Sequence, residues 1–129
     1  MIFKAFEIDS NKEFDINISV IESENEDLIT ISSKLNNKEI EVNNEFHFTA
    51  FQKFRKKLIE NNIDLKCKGA LINAYPSPMM MTSEKVYILE LGKQAKMDSV
   101  TDIYDYAEIY ESTHPEKQDL FYQNWLKSL

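Results

Sequence analysis

The side chains able to do chemistry are few and scattered. The two histidines, His47 and His114, lie 67 positions apart, and neither has another histidine three or four residues away. Cys67 is the one cysteine. A structural zinc site wants four nitrogen or sulfur ligands, so three separated ones predict no metal site. The run Glu22-Ser23-Glu24-Asn25-Glu26-Asp27 has carboxylates but neither the glycine nor the length of a calcium loop. It reads as a solvated turn. Ser77 sits between Pro76 and Pro78, without the Gly-x-Ser-x-Gly turn that exposes a nucleophile. Cys67 falls in strand phase with Leu65 and Leu71, while Lys66 and Lys68 point the other way. It is expected to be a buried small hydrophobe and not an activated thiol. Two isolated glycines cannot build a phosphate cradle. The expectation is a chain with no catalytic residue, no metal and no cofactor: not an enzyme.

Three stretches invite a binding reading instead. The first interleaves acids with tyrosines: Asp102, Tyr104, Asp105, Tyr106, Glu108, Tyr110 and Glu111. Tyrosine gives contact area at low entropic cost, and acids around it steer a basic partner. These seven residues are the expected partner-binding surface. The second stretch is Lys53-Phe54-Arg55-Lys56-Lys57. One aromatic among four cations is a weak nucleic-acid signal, and the sequence predicts a solvated helix face with cations toward the helix C-terminus. Pairing with acids of the flanking segments is also open. The third is the loop Pro76–Glu84, where Met79-Met80-Met81 gives soft apolar surface. It carries the alternative reading, a small-molecule-binding protein or enzyme with its pocket at the Tyr75–Met81 loop.

The elements that must position these groups can be read from periodicity. A chain of 129 residues, 43% hydrophobic and with 15 aromatic side chains, fits one domain over residues 1–129 with one core. Ile2 to Ile8 is an apolar run. Phe14, Ile16, Ile18 and Val20 alternate with Asp15, Asn17 and Ser19, the pattern of a half-buried antiparallel strand. Leu28 to Leu35 follows, then a tight Asn36-Asn37 turn and a short strand Glu39–Val42. Thr49 and Gln52 fit a capping box opening a helix, with Phe51, Phe54 and Leu58 on its apolar stripe and Asn61-Asn62 as its stop. Leu65 to Tyr75 reads as a strand in which Gly69 marks a bulge or close approach. Lys85 to Leu91 reads as its hairpin partner. Met97 to Glu111 is mixed, with a short helix capped by Asp98 and then a loop. Thr113 and Glu116 fit a second capping box with Pro115 in the first turn, and Phe121, Trp125 and Ser128 share a stripe. The predicted fold is α+β, an antiparallel sheet of five or six strands with two packed helices.

Charge is unevenly placed. Residues 1–45 carry a balance of −7, residues 46–97 of +5 and residues 98–129 of −5, giving the net −7. That total disfavours nucleic acid and anionic membranes as partners and suits a basic protein. No run approaches the ~20 apolar residues of a membrane helix, the N-terminus lacks a signal-peptide core and a lone cysteine suits a reducing compartment. The expected location is cytoplasmic.

The stretch Cys67-Lys68-Gly69, then Ala74-Tyr75-Pro76-Ser77, then Lys85 to Met97 and Val100-Thr101-Asp102-Ile103-Tyr104-Asp105 resembles a family of small bacterial proteins. The ending from Glu116 to Leu129 is similar to it too. The resemblance covers residues 48–129, and these proteins are associated with immunity partners of polymorphic or contact-dependent toxins. One departure is local: after Tyr75-Pro76-Ser77 the family would carry glycine, where this chain has Pro78. The resemblance implies an immunity protein that binds and occludes a cognate basic protein toxin, such as a nuclease. It transfers no binding residue.

Overall fold

The computed structural model describes residues 1–129. Ile2–Glu7 (β1), Glu13–Ser23 (β2), Leu28–Leu35 (β3) and Lys38–Asn44 (β4) run as an antiparallel meander. His47–Glu60 forms α1, and Ile63–Leu65 (β5) returns to pair antiparallel with β1. The strand order is β4-β3-β2-β1-β5. A second sheet holds three short strands, Ala74–Tyr75 (β6), Lys85–Ile88 (β7) and Val100–Asp102 (β8), in the order β6-β7-β8. Pro115–Ser128 (α2) ends the chain. The fold is α+β, with the expected strands divided between two sheets.

The meander follows directly from the alternation. Ile16 and Ile18 of β2 are buried and Phe14 and Val20 half-buried, while Asp15, Asn17 and Ser19 are exposed. Asn36 and Asn37 take φ of 51° and 65°, the left-handed pair that matches strand twist in a two-residue hairpin. The polar turn after β2 is shorter than its sequence suggests, because β2 runs on to Ser23.

Helix α1 covers the inner face of the sheet with Phe51, Phe54 and Leu58, each at most 1% exposed. Its start differs from expectation. The helix begins at His47, with Asn44 Oδ1 accepting the Phe46 N–H at 3.0 Å. Thr49 and Gln52 are therefore not a capping box, and Gln52 reaches toward α2 instead. The helix ends at Glu60, and Asn62 at φ 65° reverses the chain.

The predicted strand Leu65–Tyr75 is broken. β5 stops at Leu65, Lys68–Ala70 make one 3-10 turn, and β6 starts only at Ala74. Gly69 is the point of close approach: a β-carbon there would lie 2.6 Å from Ile103 Cγ2 and 3.1 Å from Phe51 Cε2. β7 is likewise shorter than Lys85–Leu91 and ends at Ile88. The short helix expected after Met97 shrinks to a 3-10 turn, Met97–Ser99, followed by β8 and an extended segment. In α2, Pro115 occupies the first helical position as expected, but the cap is His114, whose Nδ1 accepts the Glu116 N–H at 3.2 Å. Gln118 and Trp125 are buried on α2 and Phe121 and Tyr122 half-buried, so Trp125 and Phe121 pack as the stripe predicts while Ser128 stays exposed.

Candidate functional site

The acid–tyrosine segment lies along the continuation of β5. Lys68 N–H donates to Asp105 O at 2.7 Å, Gly69 N–H to Ile103 O at 2.9 Å and Ala107 N–H to Lys66 O at 3.1 Å. Cys67 pairs antiparallel with Tyr106. The segment is thus an extended ribbon with a period of two. Ala107 and Ile109 turn inward to the core; Tyr106, Glu108 and Tyr110 turn outward. Tyr110 is 79% exposed and Tyr106 52%.

Lys66 ties this row together. Its Nζ lies 3.1 Å from both Glu13 and Glu108, and 5.8 Å from the ring centres of Phe6 and Tyr110. Tyr106 donates its hydroxyl to the other oxygen of Glu108 at 2.6 Å. The Tyr106 hydrogen bond, then that of Lys66, holds the Glu108 carboxyl below the usual carboxylate range. The same contact with Glu108 raises the Tyr106 hydroxyl. Donating hydrogen bonds to Glu13 and Glu108 raises Lys66. Asp105 and Glu111 are exposed at the two ends of the row. The result is a ribbon with two free aromatic rings and an ionised carboxylate fixed between them.

Two of the expected surface residues lie elsewhere. Tyr104 turns into the core, edge-on to Phe3, His47 and Phe51 with ring centres 5.7–6.2 Å apart. Burial raises its hydroxyl above the usual tyrosine value. Ile103 and Tyr104 form the bend between β8 and the ribbon, so the alternation that exposes Tyr106 and Tyr110 does not extend back to Tyr104. Asp102 belongs to β8 and pairs with Lys85 at 3.3 Å. The partner-binding set predicted from sequence therefore splits: Asp105, Tyr106, Glu108, Tyr110 and Glu111 share the ribbon, Asp102 lies on β8, and Tyr104 is half-buried against the core with its remaining surface in a separate cleft.

Two polar constellations were not legible as sites. His47 is 3% exposed, with Nδ1 at 2.8 Å from the Tyr104 hydroxyl and Nε2 at 2.5 Å from Glu22. If Nε2–H donates to Glu22, Nδ1 accepts the tyrosine proton. The second constellation centres on Arg55, expected on the solvated face and found fully buried. Its Nε and Nη2 donate to the two oxygens of Asp64 at 2.9 and 2.8 Å, Nη1 donates to Gln118 at 3.2 Å, and Nη2 also donates to the Thr113 carbonyl. Asp64 further accepts Leu65 N–H at 2.7 Å and Ser112 Oγ–H at 2.6 Å. Gln118 donates on to the Gly69 and Leu71 carbonyls. No buried side-chain nitrogen or oxygen lacks a hydrogen-bond partner, so the network joins α1, β5 and α2 without exposing a reactive group. The overlooked signal was spacing: His47, Phe51, Phe54, Arg55 and Leu58 all fall on one helical stripe.

Cys67 is buried as expected, and burial pushes its thiol well above the ordinary value. None of the main clefts is lined by the Tyr75–Met81 segment, where the alternative reading puts its pocket, and Tyr75 has its aromatic ring engaged elsewhere. That ring stacks on Tyr122 with centres 4.2 Å apart, and its hydroxyl donates to Asp119 at 3.0 Å. Met79 is 93% exposed, with Met80 and Met81 half-buried. Two open clefts, of about 340 and 590 Å³, lie at the Thr82–Glu84 end of the loop, and both reach Glu22. Thr82 lines the smaller; Ser83, Glu84, Lys85, His47 and Tyr104 line the larger. No helix is long and apolar enough to cross a membrane. The chain matches no protein-family model, and no curated protein is significantly similar to it.

Proposed function

We propose that this chain is a protein-binding module whose partner presents a basic surface, and that it acts in the cytoplasm as the immunity partner of a bacterial toxin. The observation that carries the reading is the row Tyr106, Glu108 and Tyr110 on the rim of the larger sheet. Exposed tyrosines supply rigid contact area, and Tyr110 has most of its ring still to bury. Glu108 is held ionised by Tyr106 and Lys66, so it meets a cation already oriented. Asp105 and Glu111 flank the row and would speed encounter. Occlusion needs no chemistry from the chain: the ribbon covers a basic active site, such as that of a nuclease, one molecule to one.

Co-expression with the product of the adjacent upstream gene tests the class, and a one-to-one complex is expected. Within that complex, Tyr110→Ala should weaken affinity at least tenfold through faster dissociation. Asp105→Lys with Glu111→Lys should slow association and flatten its salt dependence. Unchanged kinetics in both variants would remove this surface from the interface, and failure to form any complex would remove the immunity reading.

One observation favours a second reading. The larger cleft places the His47 imidazole between Tyr104 and Glu22, with Lys85 on its wall. A small-molecule site, if present, is better placed there than at the Tyr75–Met81 loop. Amide shifts around Glu22, Ser83 and Lys85 on titration with small anions would support it; shifts confined to the ribbon would not.

A further inference from the structure

The larger sheet has a second rim, on the side away from the tyrosine row. β4 pairs with β3 from Leu35↔Lys38 to Ile29↔Asn44, and no strand lies beyond it. The two-residue Asn36-Asn37 turn makes Leu35 and Lys38 a hydrogen-bonded pair. Bonded positions then recur at Ile40, Val42 and Asn44, and the backbone groups of Glu39, Glu41 and Asn43 face outward. One of them already has a donor. Lys57 Nζ, reaching from α1, donates to the Glu41 carbonyl at 3.1 Å. A cation thus stands where the N–H of a further strand would donate.

Beside this edge is an open groove of about 490 Å³ between β4 and α1. Lys53, Lys56, Lys57 and Glu60 line it from α1, and Glu41 and Val42 line it from β4. Lys56 makes only a loose 3.7 Å contact with Glu116. This is a concentration of cations in a chain of net charge −7.

We infer that the β4 edge and its lysine wall accept an extended acidic segment of another protein as an added strand. The backbone of Glu39, Glu41 and Asn43 supplies the ladder, as in other cases of strand addition. Alternate side chains of the added strand point toward α1, so that is where its acids belong. The intervening side chains lie beside Glu39 and Glu41 and should be neutral or basic. A second copy of this chain fits less well, because its net charge opposes self-association. Nucleic acid lacks the backbone donors and acceptors that the edge requires.

The probe is a fluorescein-tagged, end-capped seven-residue peptide of alternating Glu and Thr, followed by anisotropy and by amide spectra of the whole chain. Binding should shift the amides of Glu39, Glu41 and Asn43 and slow their exchange with solvent. The variant Lys53→Glu/Lys56→Glu/Lys57→Glu, whose changes are all at exposed positions, should lose at least tenfold in affinity with an otherwise unchanged spectrum. Replacing the peptide's central Thr by Pro should do the same, because it disrupts pairing without altering charge. Tyr110→Ala should leave peptide binding intact, which separates this surface from the tyrosine row. Equal binding of the Pro peptide would reduce the effect to charge attraction and overturn strand addition. So would absence of the edge shifts, tighter binding of a single-stranded oligonucleotide, or a concentration-dependent mass abolished by the triple variant.

Discussion

Replacing Arg55 by Met removes a guanidinium that is fully buried and leaves Asp64, itself 1% exposed, without its counter-charge. The methionine fills the volume of the stem, so the loss is chiefly electrostatic. Asp64 falls from four donors to two, the Leu65 N–H and the Ser112 hydroxyl, and the Thr113 carbonyl loses the Arg55 donor. Breaking a buried ion pair from one side typically costs about 3–5 kcal/mol. A chain of this length has a total stability on the order of 6–19 kcal/mol, so the variant should lose a large share of it, and its Tm should fall by roughly 10–20 °C. Trp125 is the only tryptophan, and its Nε1–H donates to the Lys93 carbonyl at 2.8 Å, tying α2 to the segment after β7. Urea unfolding followed by its fluorescence and by far-UV circular dichroism therefore reads both the helix docking and the whole fold. The double variant Arg55→Met/Asp64→Leu removes both charges and should be more stable than Arg55→Met alone, with a coupling of at least about 1 kcal/mol. A single-variant loss under about 1 kcal/mol, or a double variant no better than the sum of its parts, would refute the argument that this pair is desolvated and coupled.

Gly69→Ala places a methyl 2.6 Å from Ile103 Cγ2 with Phe51 behind it; overpacking should cost roughly 1–3 kcal/mol in a thermal melt, and a neutral variant would show that the contact is soft. Glu108 should titrate below its ordinary 4.5 by carbon-13 chemical shift. Because its folded value is depressed, any stability it contributes is present above the unfolded value and is lost as pH falls through the folded one. Tyr106→Phe removes the larger of its two hydrogen bonds, so the midpoint should rise, and an unmoved midpoint would contradict the geometry. Cys67 should resist thiol reagents at pH 8 in the native state and react at once in denaturant, since burial raises its thiol and blocks access; fast native labelling would place it elsewhere.

Local rules predicted the meander because each needs only neighbouring residues: the Phe14–Val20 alternation, the Asn36-Asn37 turn, Pro115 at a helix start. What failed depended on contacts distant in sequence. Leu65–Tyr75 has the composition of one strand, but Gly69 must clear Ile103 and Phe51, so the chain turns there. The general rule that charges stay wet sends Arg55 to water, but its place on the stripe with Phe51, Phe54 and Leu58 puts it inside, where only a partner from outside the helix can satisfy it. Its partner Asp64 is nine residues away, at a position no helix-surface rule relates to it. Sequence proximity alone groups Tyr104 with Tyr106 and Tyr110; the bend at Ile103–Tyr104 separates them.

The uneven charge of the chain finds its use in these long-range contacts. The basic middle segment supplies Lys66, which holds Glu13 from the first acidic segment and Glu108 from the last. Lys56 faces Glu116 and Lys85 faces Asp102, again joining the middle to the end. Exposed pairs of this kind are each worth little, so their effect is to fix register and not to hold the fold. Some charges are left over after these pairs are made. Once the middle lysines have drawn in Glu13, Asp102, Glu108 and Glu116, the last segment still carries Asp105 and Glu111 beside two exposed tyrosines. On the opposite rim Lys53 and Lys57 still face an unpaired strand edge. The ribbon's leftover charge is acidic, which suits the basic partner proposed for it. On the β4 rim the leftover lysines stand on the α1 side of an edge whose outer face carries Glu39 and Glu41, so an added strand would meet cations on one face and acids on the other.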